Sequence, residues 1–335
     1  MTETMPAVGY RESLPISDEA SLEDVRLPVP EPGPRDLLVR VEAVSVNPVD
    51  AKVRRSADPG GGVKVLGYDA AGVVAGVGGE VSLFEVGDEV YYAGSIGRPG
   101  TNARFHVVDE RIVGHKPRSL GFAEAAALPL TTITAWESLF ERFRLGAESG
   151  GTLLVLGGAG GVGSMVIQLA RALTGVTVVA TASRPESAQW ARDMGAHEVV
   201  DHHDLVAGVR AVAPDGVDYV FSPRTGGAIE TFAEILRTGG EITAIDEPEG
   251  LDLLPLKPKS ITFHWEFMFT RPLFEPPDMI AQHDLLERVG ELIDDGVVRT
   301  TLTTTLEPIN AGTLRRAHEM VESGHMVGKV VVAGF

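Results

Sequence analysis

The chain has 335 residues, which at roughly 150 residues per domain predicts two domains, and 29 basic against 47 acidic side chains give it a net charge of −18. This charge argues against binding to nucleic acid or to anionic lipid, and the absence of cysteine excludes disulfides, thiol nucleophiles, iron–sulfur clusters and cysteine-ligated zinc. No apolar run approaches the ~20 residues of a membrane helix, and the N-terminus lacks the pattern of a secretory signal, so we expect a cytoplasmic protein.

The first part of the chain, up to about residue 120, predicts a β-rich unit. Its strand-like runs are Asp36–Ser45, Ala71–Ala75, Glu89–Tyr92 and Ala103–Val108. Clusters of glycine and proline separate these runs, as expected for turns and loops. After about residue 122 the pattern becomes helical, with helices predicted over 122–128 and 132–140.

From Thr152 onward, short apolar strands alternate with helices, which is the pattern of βαβ units around a parallel sheet. The predicted strands are 152–156, 177–181, 198–200, 219–221 and 241–245, and the run 261–269 could supply a sixth. The predicted helices between them are 161–174, 185–194, 204–213 and 227–237. The remaining chain predicts, in order, a helix, a strand, a helix and a strand over 278–295, 300–305, 311–323 and 329–332. The plan is a β-rich unit, an inserted α/β unit and a C-terminal return.

The sharpest motif is a glycine-rich segment between the strand that starts at Thr152 and the helix after it. Three of its glycines satisfy G-x-G-x-x-G, in which one permits a tight turn, another lets the backbone approach a pyrophosphate and the third lets helix and strand pack closely. The start of the helix presents unpaired N–H groups to phosphates. The residues expected to hold a dinucleotide are Gly158, Gly160, Gly161, Val162 and Gly163. A P-loop would need lysine where Ser164 stands, which argues against nucleoside-triphosphate hydrolysis.

The end of the second strand of this unit bears on the choice of cofactor. NAD sites tend to place Asp or Glu there to bind the ribose 2′-OH, whereas this sequence has Ser183 and Arg184. Arg184 could pair bidentately with a 2′-phosphate and Ser183 could donate a hydrogen bond to it, which predicts NADP(H). The alternative is that Arg184 is a solvated side chain before a helix that Pro185 starts.

Four segments together give the chain a family resemblance: Val46–Asp50, Gly67–Val74 leading to Val86–Val90, Leu128–Ala135, and the glycine turn. On these segments the sequence resembles a zinc-independent medium-chain dehydrogenase/reductase of the quinone oxidoreductase-like branch. The resemblance implies a GroES-like β-rich catalytic domain made of residues 1–125 and 270–335. It also implies an inserted Rossmann domain, a doubly wound parallel sheet that binds NADP(H), over 126–269, with the active site in the cleft between the two domains.

Zinc-dependent relatives hold a catalytic metal with Cys, the His of Gly-His-Glu and a third ligand. Here Asn47, Tyr68 and Leu130 fall in those neighbourhoods, and the four-cysteine structural lobe is absent. Neutral Asn and Tyr are poor zinc ligands beside thiolate and imidazole, so we expect no metal. The segment His197–Asp201 resembles HExxH but has Asp in place of the second His.

His202 follows that segment and has two readings. By resemblance it falls where quinone reductases often place a Tyr that contacts the adenosine part of NADPH. The alternative is a solvated His in a loop that also contains His203 and Asp204.

Without metal or thiol, the reaction must rely on the nicotinamide. The candidate catalytic residues are Asn47 and Tyr68, with Asp50 orienting a loop that Pro48 fixes. Tyr68 could donate a proton, and the alternative is that it is a half-buried wall residue. Thr134 is expected beside the nicotinamide at the start of a helix. The predicted activity is NADPH-dependent reduction of a quinone or another activated carbonyl or alkene. Zinc-type alcohol dehydrogenation and non-catalytic binding of NADPH are the alternatives.

The run 261–269 also predicts a homodimer. By period two it places five large side chains on one strand face and Met268 on the other. The five are Ile261, Phe263, Trp265, Phe267 and Phe269. The alternative is that this face packs under a helix of its own domain.

Overall fold

The structure is a computed structural model that describes residues 3–335. The chain forms two compact units. The first unit contains the chain up to Ile133 together with Phe269–Phe335, and the second unit is Thr134–Met268. Within residues 3–335, no helix is both long and apolar enough to cross a membrane.

The strands of the described residues lie at both ends of the chain and in its middle. They are β1 (Thr4–Tyr10), β2 (Glu23–Pro28), β3 (Asp36–Ser45), β4 (Lys64–Val65), β5 (Asp69–Val77), β6 (Glu89–Ala93), β7 (Phe105–Asp109), β8 (Val113–His115), β9 (Thr152–Val155), β10 (Thr177–Thr181), β11 (Glu198–Val200), β12 (Val217–Ser222), β13 (Leu236–Ala244), β14 (Thr262–Trp265), β15 (Leu302–Leu306) and β16 (Lys329–Ala333). β3, β10 and β11 have the predicted bounds. β1, β2, β4 and β8 were not predicted: β4 and β8 are very short, β2 is rich in charged residues, and β1 contains proline and glycine, which are uncommon in strands.

The α-helices connect these strands. They are α1 (Pro48–Ser56), α2 (Phe122–Ala126), α3 (Pro129–Trp136), α4 (Gly161–Leu173), α5 (Pro185–Asp193), α6 (Leu205–Val212), α7 (Ile229–Ile235), α8 (Thr270–Phe274), α9 (Ala281–Asp294) and α10 (Ala311–Glu322). α3 continues as a π-helix over Glu137–Arg142. The predicted helix over 132–140 therefore starts three residues earlier and changes its hydrogen-bonding pattern at its C-terminal end.

The predicted loop around Pro48 is wrong, because residues 48–56 form α1. Pro48 occupies the first helical position, where its missing N–H is not needed and its fixed φ suits the helix. Asn47 is the N-cap, and the Asp50 carboxylate accepts a hydrogen bond from the Asn47 backbone N–H, which is half of a capping box. The sequence Asn-Pro-x-Asp is therefore a helix start.

The first unit contains two sheets. β2, β1 and β4 form a three-stranded sheet, and the larger sheet has the order β15-β16-β3-β5-β6-β8 with β7 also paired to β3. The C-terminal strand β16 runs antiparallel to β3, with Val331 opposite Ser45, and parallel to β15. Residues from both ends of the chain share one core, which includes Tyr10, Leu37 and Val330. This sheet places the first residue of β16 beside the end of β3.

The second unit is a six-stranded parallel sheet with the order β11-β10-β9-β12-β13-β14. Counted from β9, this is the 3-2-1-4-5-6 order of a dinucleotide-binding sheet. The point at which the strand order reverses lies between β9 and β12. The sheet and the helices α4 to α7 confirm the doubly wound arrangement that the alternation predicts.

The predicted strand over 261–269 is too long, since β14 covers only Thr262–Trp265. Glu266 after it is buried and forms an ion pair with Arg142 at 2.8 Å. Trp265 and Phe267 are 52% and 40% exposed, whereas Phe269 is buried and belongs to the first unit. The five large side chains predicted for one face therefore do not form one face.

Candidate functional site

The glycine turn lies between β9 and α4, where the predicted site residues Gly158 to Gly163 are found. Gly157 has a φ of +67°, a left-handed conformation that favours glycine. The backbone N–H groups of Gly157 and Gly158 donate to the Thr181 hydroxyl at 2.9 Å and to its carbonyl oxygen at 3.2 Å. Thr181, the last residue of β10, therefore holds the turn from the neighbouring strand. Thr181 was not among the predicted site residues, because the glycine pattern carries no signal for it.

The glycines of the turn differ in whether a neighbouring protein atom would clash with a Cβ at their position. A Cβ atom at Gly163 would lie 2.3 Å from the Gly157 carbonyl oxygen, and one at Gly158 would lie 2.7 Å from the Ala180 Cβ. A Cβ atom at Gly160 would have the Gly157 oxygen at 3.4 Å as its nearest neighbour. The protein itself therefore requires glycine at 158 and 163, but it leaves open space at Gly160, the N-cap of α4. This open helix N-terminus fits a pyrophosphate.

Ser164, which stands where a P-loop has lysine, has a structural role. Its hydroxyl donates to the Gly160 carbonyl oxygen at 2.8 Å and accepts a hydrogen bond from the Trp190 indole N–H at 2.9 Å. Because Ser164 is buried and already bonded to the turn and to α5, it stabilises the turn instead of reaching towards a ligand. Trp190 is a second supporting residue that the sequence analysis did not find.

The predicted adenosine-side residues lie at the surface of the second unit. Ser183 and Arg184 are exposed after β10, and Arg184 is the N-cap of α5 with Pro185 at its first position. His202 is also exposed, in a short 3-10 helix over His202–Asp204, and its ring lies 4.1 Å from that of His203. Exposure suits residues that would contact the outer part of a dinucleotide.

Asp201, His202 and His203 have ligand atoms within 4.8 Å of one another, as a metal site would require. However, all three side chains are exposed, and the Asp201 carboxylate already accepts from the His203 backbone N–H at 2.9 Å and contacts the His203 Nδ1 at 2.8 Å. These contacts are those of a local turn, and we assign no metal to them.

Thr134 lies in α3, as the first residue of the second unit, and is buried. Its carbonyl oxygen accepts a hydrogen bond from the Ser138 hydroxyl at 2.7 Å. This bond lies where α3 changes into the π-helix. Thr134 is therefore inside a helix and not at its start.

The first unit holds the predicted catalytic residues in a buried network. The Asp50 carboxylate accepts from the backbone N–H groups of Asn47 at 2.8 Å and Gly67 at 3.0 Å, and so joins α1 to the start of β5. Burial raises the pKa of Asp50 to about 7, although the hydrogen bond from Asn47 and the charge of Lys329 lower it. The charge of this carboxyl group therefore changes near neutral pH.

Asn47 and Asp69 are joined directly in the same network. The Asn47 side-chain nitrogen donates to Asp69 Oδ2 at 2.7 Å, and the Leu130 backbone N–H donates to Asp69 Oδ1 at 2.7 Å. The Lys329 ammonium contacts both side chains. Burial raises the pKa of Asp69 and lowers that of Lys329, and their mutual attraction opposes both effects. Neither Asp69 nor Lys329 was among the predicted site residues.

Tyr68 precedes Asp69 and is 2% exposed. Its ring lies edge-on to that of Phe269, with the ring centres 5.1 Å apart. Burial raises the pKa of the Tyr68 phenol above its ordinary value, and the negative charge of Asp50 raises it further. The phenol therefore keeps its proton over the whole physiological range.

The residues at the expected zinc positions do not fit zinc. Asn47 and Tyr68 supply an amide and a protonated phenol, and Leu130 takes part through its backbone N–H, which is a donor. Zinc sites use thiolate, imidazole or carboxylate ligands. In addition, the Lys329 ammonium lies at the Asn47 and Asp69 side-chain oxygens, so a second cation beside it would be repelled.

Comparisons with known proteins place these features in a family. Residues 33–137 match the alcohol dehydrogenase GroES-like domain, and residues 194–332 match zinc-binding dehydrogenase. A zinc-type alcohol dehydrogenase-like protein of Staphylococcus aureus is 40% identical over 335 residues, which cover 98% of this chain and 99% of the relative. A chloroplastic NADPH-dependent alkenal/one oxidoreductase of Arabidopsis thaliana is 32% identical over 321 residues, which cover 91% of this chain and 73% of the relative.

A solved structure from Rhizobium etli, described as a candidate zinc-dependent alcohol dehydrogenase protein, matches with a TM-score of 0.96 at 52% identity. The match covers 100% of this chain and 99% of the other. It confirms the predicted fold class of a GroES-like domain with an inserted Rossmann domain. The chain therefore belongs to the medium-chain dehydrogenase/reductase family, as the sequence resemblance predicts.

Proposed function

We propose that this oxidoreductase is an NADPH-dependent reductase that transfers hydride to a quinone or another activated carbonyl or alkene without a metal. The observation that carries the proposal is the open N-terminus of α4 at Gly160, together with Ser183 and Arg184 after β10, where NAD sites tend to have Asp or Glu. The similarity to an NADPH-dependent alkenal/one oxidoreductase supports the same cofactor and substrate class.

Residues of the second unit would hold the cofactor, which is the source of the hydride. The turn from Gly158 to Gly163 would bind the pyrophosphate with its backbone N–H groups. Ser183 and Arg184 would bind the 2′-phosphate, His202 would contact the adenosine, and Thr134 would contact the nicotinamide part. All of these residues are among the predicted cofactor-binding residues.

Residues of the first unit would act on the substrate. Tyr68 holds its proton across the physiological range and is suited to donate a hydrogen bond to the oxygen on which negative charge develops. Asn47 has both ends of its side chain bonded, which suits it to shaping the site more than to free donation. Asp50 would orient Asn47 through the start of α1. A conjugated acceptor suits this set because its developing charge spreads to a single oxygen.

A homodimer is part of the proposal. Among the described strands, β14 is the last in the sheet of the second unit and pairs only with β13, so its outer edge has unpaired backbone groups. Trp265 at its end is 52% exposed and Phe267 beyond it is 40% exposed. A large aromatic side chain at an open strand edge is typical of an interface. Pairing of two β14 strands would cover this edge.

The reaction can be tested by following NADPH oxidation with a panel of quinones, enones and aldehydes, each measured before and after treatment with a chelator. We expect turnover of a quinone or an enone that chelation leaves unchanged, because the residues at the zinc positions do not fit zinc. Activity that is lost on chelation and restored by zinc would instead support a zinc-type alcohol dehydrogenase. Tight NADPH binding with no turnover would support a non-catalytic protein.

Arg184→Ala should weaken NADPH binding by about ten- to a hundredfold, because a charge-assisted contact with the 2′-phosphate contributes roughly 1.5–3 kcal/mol. Binding of NADH should hardly change. The measurement is titration of both cofactors by calorimetry or fluorescence. Arg192→Ala, at the other end of α5, is the matched control and should leave both affinities unchanged. Equal affinities of the unmodified protein for NADPH and NADH would contradict the assignment.

Gly160→Val should abolish NADPH binding with little change in Tm, because a Cβ at this position has no protein atom nearer than 3.4 Å, while the added side chain fills the space left for the pyrophosphate. Gly163→Ala should instead lower Tm, since its Cβ would lie 2.3 Å from a carbonyl oxygen. Gly150→Val, where a Cβ has no neighbour within 4 Å, is the control for both measurements. A folded Gly160→Val variant that binds NADPH normally would refute the site.

Trp265→Asp should convert a homodimer into a monomer at micromolar concentration, because it places a charge on the strand edge that would be covered. Light scattering gives the mass of both forms. Leu254→Asp, a similar change at a side chain that is 67% exposed elsewhere in the same unit, should leave the mass unchanged. A monomeric mass for the unmodified protein would overturn the dimer.

A further inference from the structure

Lys329 is a buried lysine at the start of β16, surrounded by oxygen atoms of the first unit. Its Nζ donates hydrogen bonds to the Val46 carbonyl oxygen at 3.2 Å, to Asn47 Oδ1 at 2.5 Å and to Asp69 Oδ2 at 3.3 Å. The side chain is 5% exposed. A protonated lysine has three N–H donors, so each donor has one oxygen acceptor. A neutral amine would have only two donors for the same three oxygens.

Asp69 is the matching anion. Its Oδ1 accepts from the Leu130 backbone N–H, and its Oδ2 accepts from the Asn47 amide and from the Lys329 ammonium. Every one of these contacts brings a donor to the carboxylate, which is the pattern of the ionised form. The hydrogen bonds therefore describe a buried pair of full charges, with the side chain of Asp69 fully buried.

The oxygens around Lys329 are a carboxylate, an amide and a backbone carbonyl, which are the oxygen types that hold hard metal cations in proteins. One of these oxygens belongs to Asn47, which stands at an expected zinc-ligand position. Another belongs to Asp69, the residue after Tyr68, and Tyr68 stands at a second expected position. We propose that the Lys329 ammonium is the built-in cation of this network, which holds these oxygens together and leaves no place for a metal ion among them.

Lys329 therefore has a structural role in this network. Its bond to Asn47 Oδ1 fixes which end of the amide faces Asp69, and Asn47 in turn is the N-cap of α1. The last strand of the chain therefore sets the orientation of a residue near its beginning. Removal of the ammonium would leave a negatively charged cavity that a small primary ammonium ion could enter, because such an ion supplies the same charge and the same N–H donors.

The test is chemical rescue of Lys329→Ala. We expect this variant to lose roughly 10 °C in Tm, as the loss of one partner of a buried ion pair predicts. Added n-propylammonium chloride, which replaces the missing part of the side chain, should restore at least half of that loss. Tetramethylammonium, which has the charge but no N–H donor, should not. Lys257→Ala, at an exposed lysine, controls for general effects of the salts on Tm.

A second set of variants covers the case in which Lys329→Ala does not fold. Asp69→Asn removes the carboxylate that balances the buried ammonium, and Asp69→Asn with Lys329→Met removes both charges, so the double variant should have a Tm several degrees above that of Asp69→Asn alone. Equal Tm values would overturn the proposal. Equal stabilisation of Lys329→Ala by both ammonium salts would also overturn it, as would stoichiometric zinc in the wild-type protein whose removal lowers Tm. Because Tm is the readout, a lack of quinone reduction would leave this result unaffected.

Discussion

The buried pair of Asp69 and Lys329 constrains the whole first unit, because neither charge is stable in the interior without the other. For the two side chains to meet, β16 must lie next to the end of β3, and β5 must begin beside both. The order of the larger sheet provides this placement. Asn47, at the junction of β3 and α1, completes the hydrogen bonds of both partners. The architecture and the polar centre of the unit therefore depend on each other.

The second unit meets a different constraint. It must keep the turn between β9 and α4 folded while the N-terminus of α4 faces an open space. Gly163 allows close contact with the Gly157 carbonyl, and Thr181 ties the turn to the neighbouring strand. Gly160, in contrast to Gly158 and Gly163, has no protein atom that requires its small size. A dinucleotide site of this kind needs no net positive charge, which explains how a chain with a net charge of −18 can be suited to an anionic cofactor.

The second unit could be predicted well from sequence, since its strands are apolar, its helices follow at regular intervals and its glycine turn has a known pattern. Asn47 and Asp50 were found for their chemistry, but the helix that they start was missed because Pro48 was interpreted as part of a loop. Lys329 was missed because its partners are distant in sequence and its neighbours are ordinary strand valines. The strand predicted over 261–269 was too long, because an alternating pattern of apolar residues does not reveal where the chain leaves a sheet.

The position of β16 inside the larger sheet has a consequence for the order of folding. The second unit is continuous in sequence, so its strands can pair without any other segment of the chain. The first unit depends on a contact of very long range, because β16, which lies between β15 and β3, places Val330 against Ser45, 285 positions earlier in the sequence. Until β16 docks, the end of β3 has an unpaired edge. Slow docking of β16 would therefore leave a folded second unit attached to an aggregation-prone sheet.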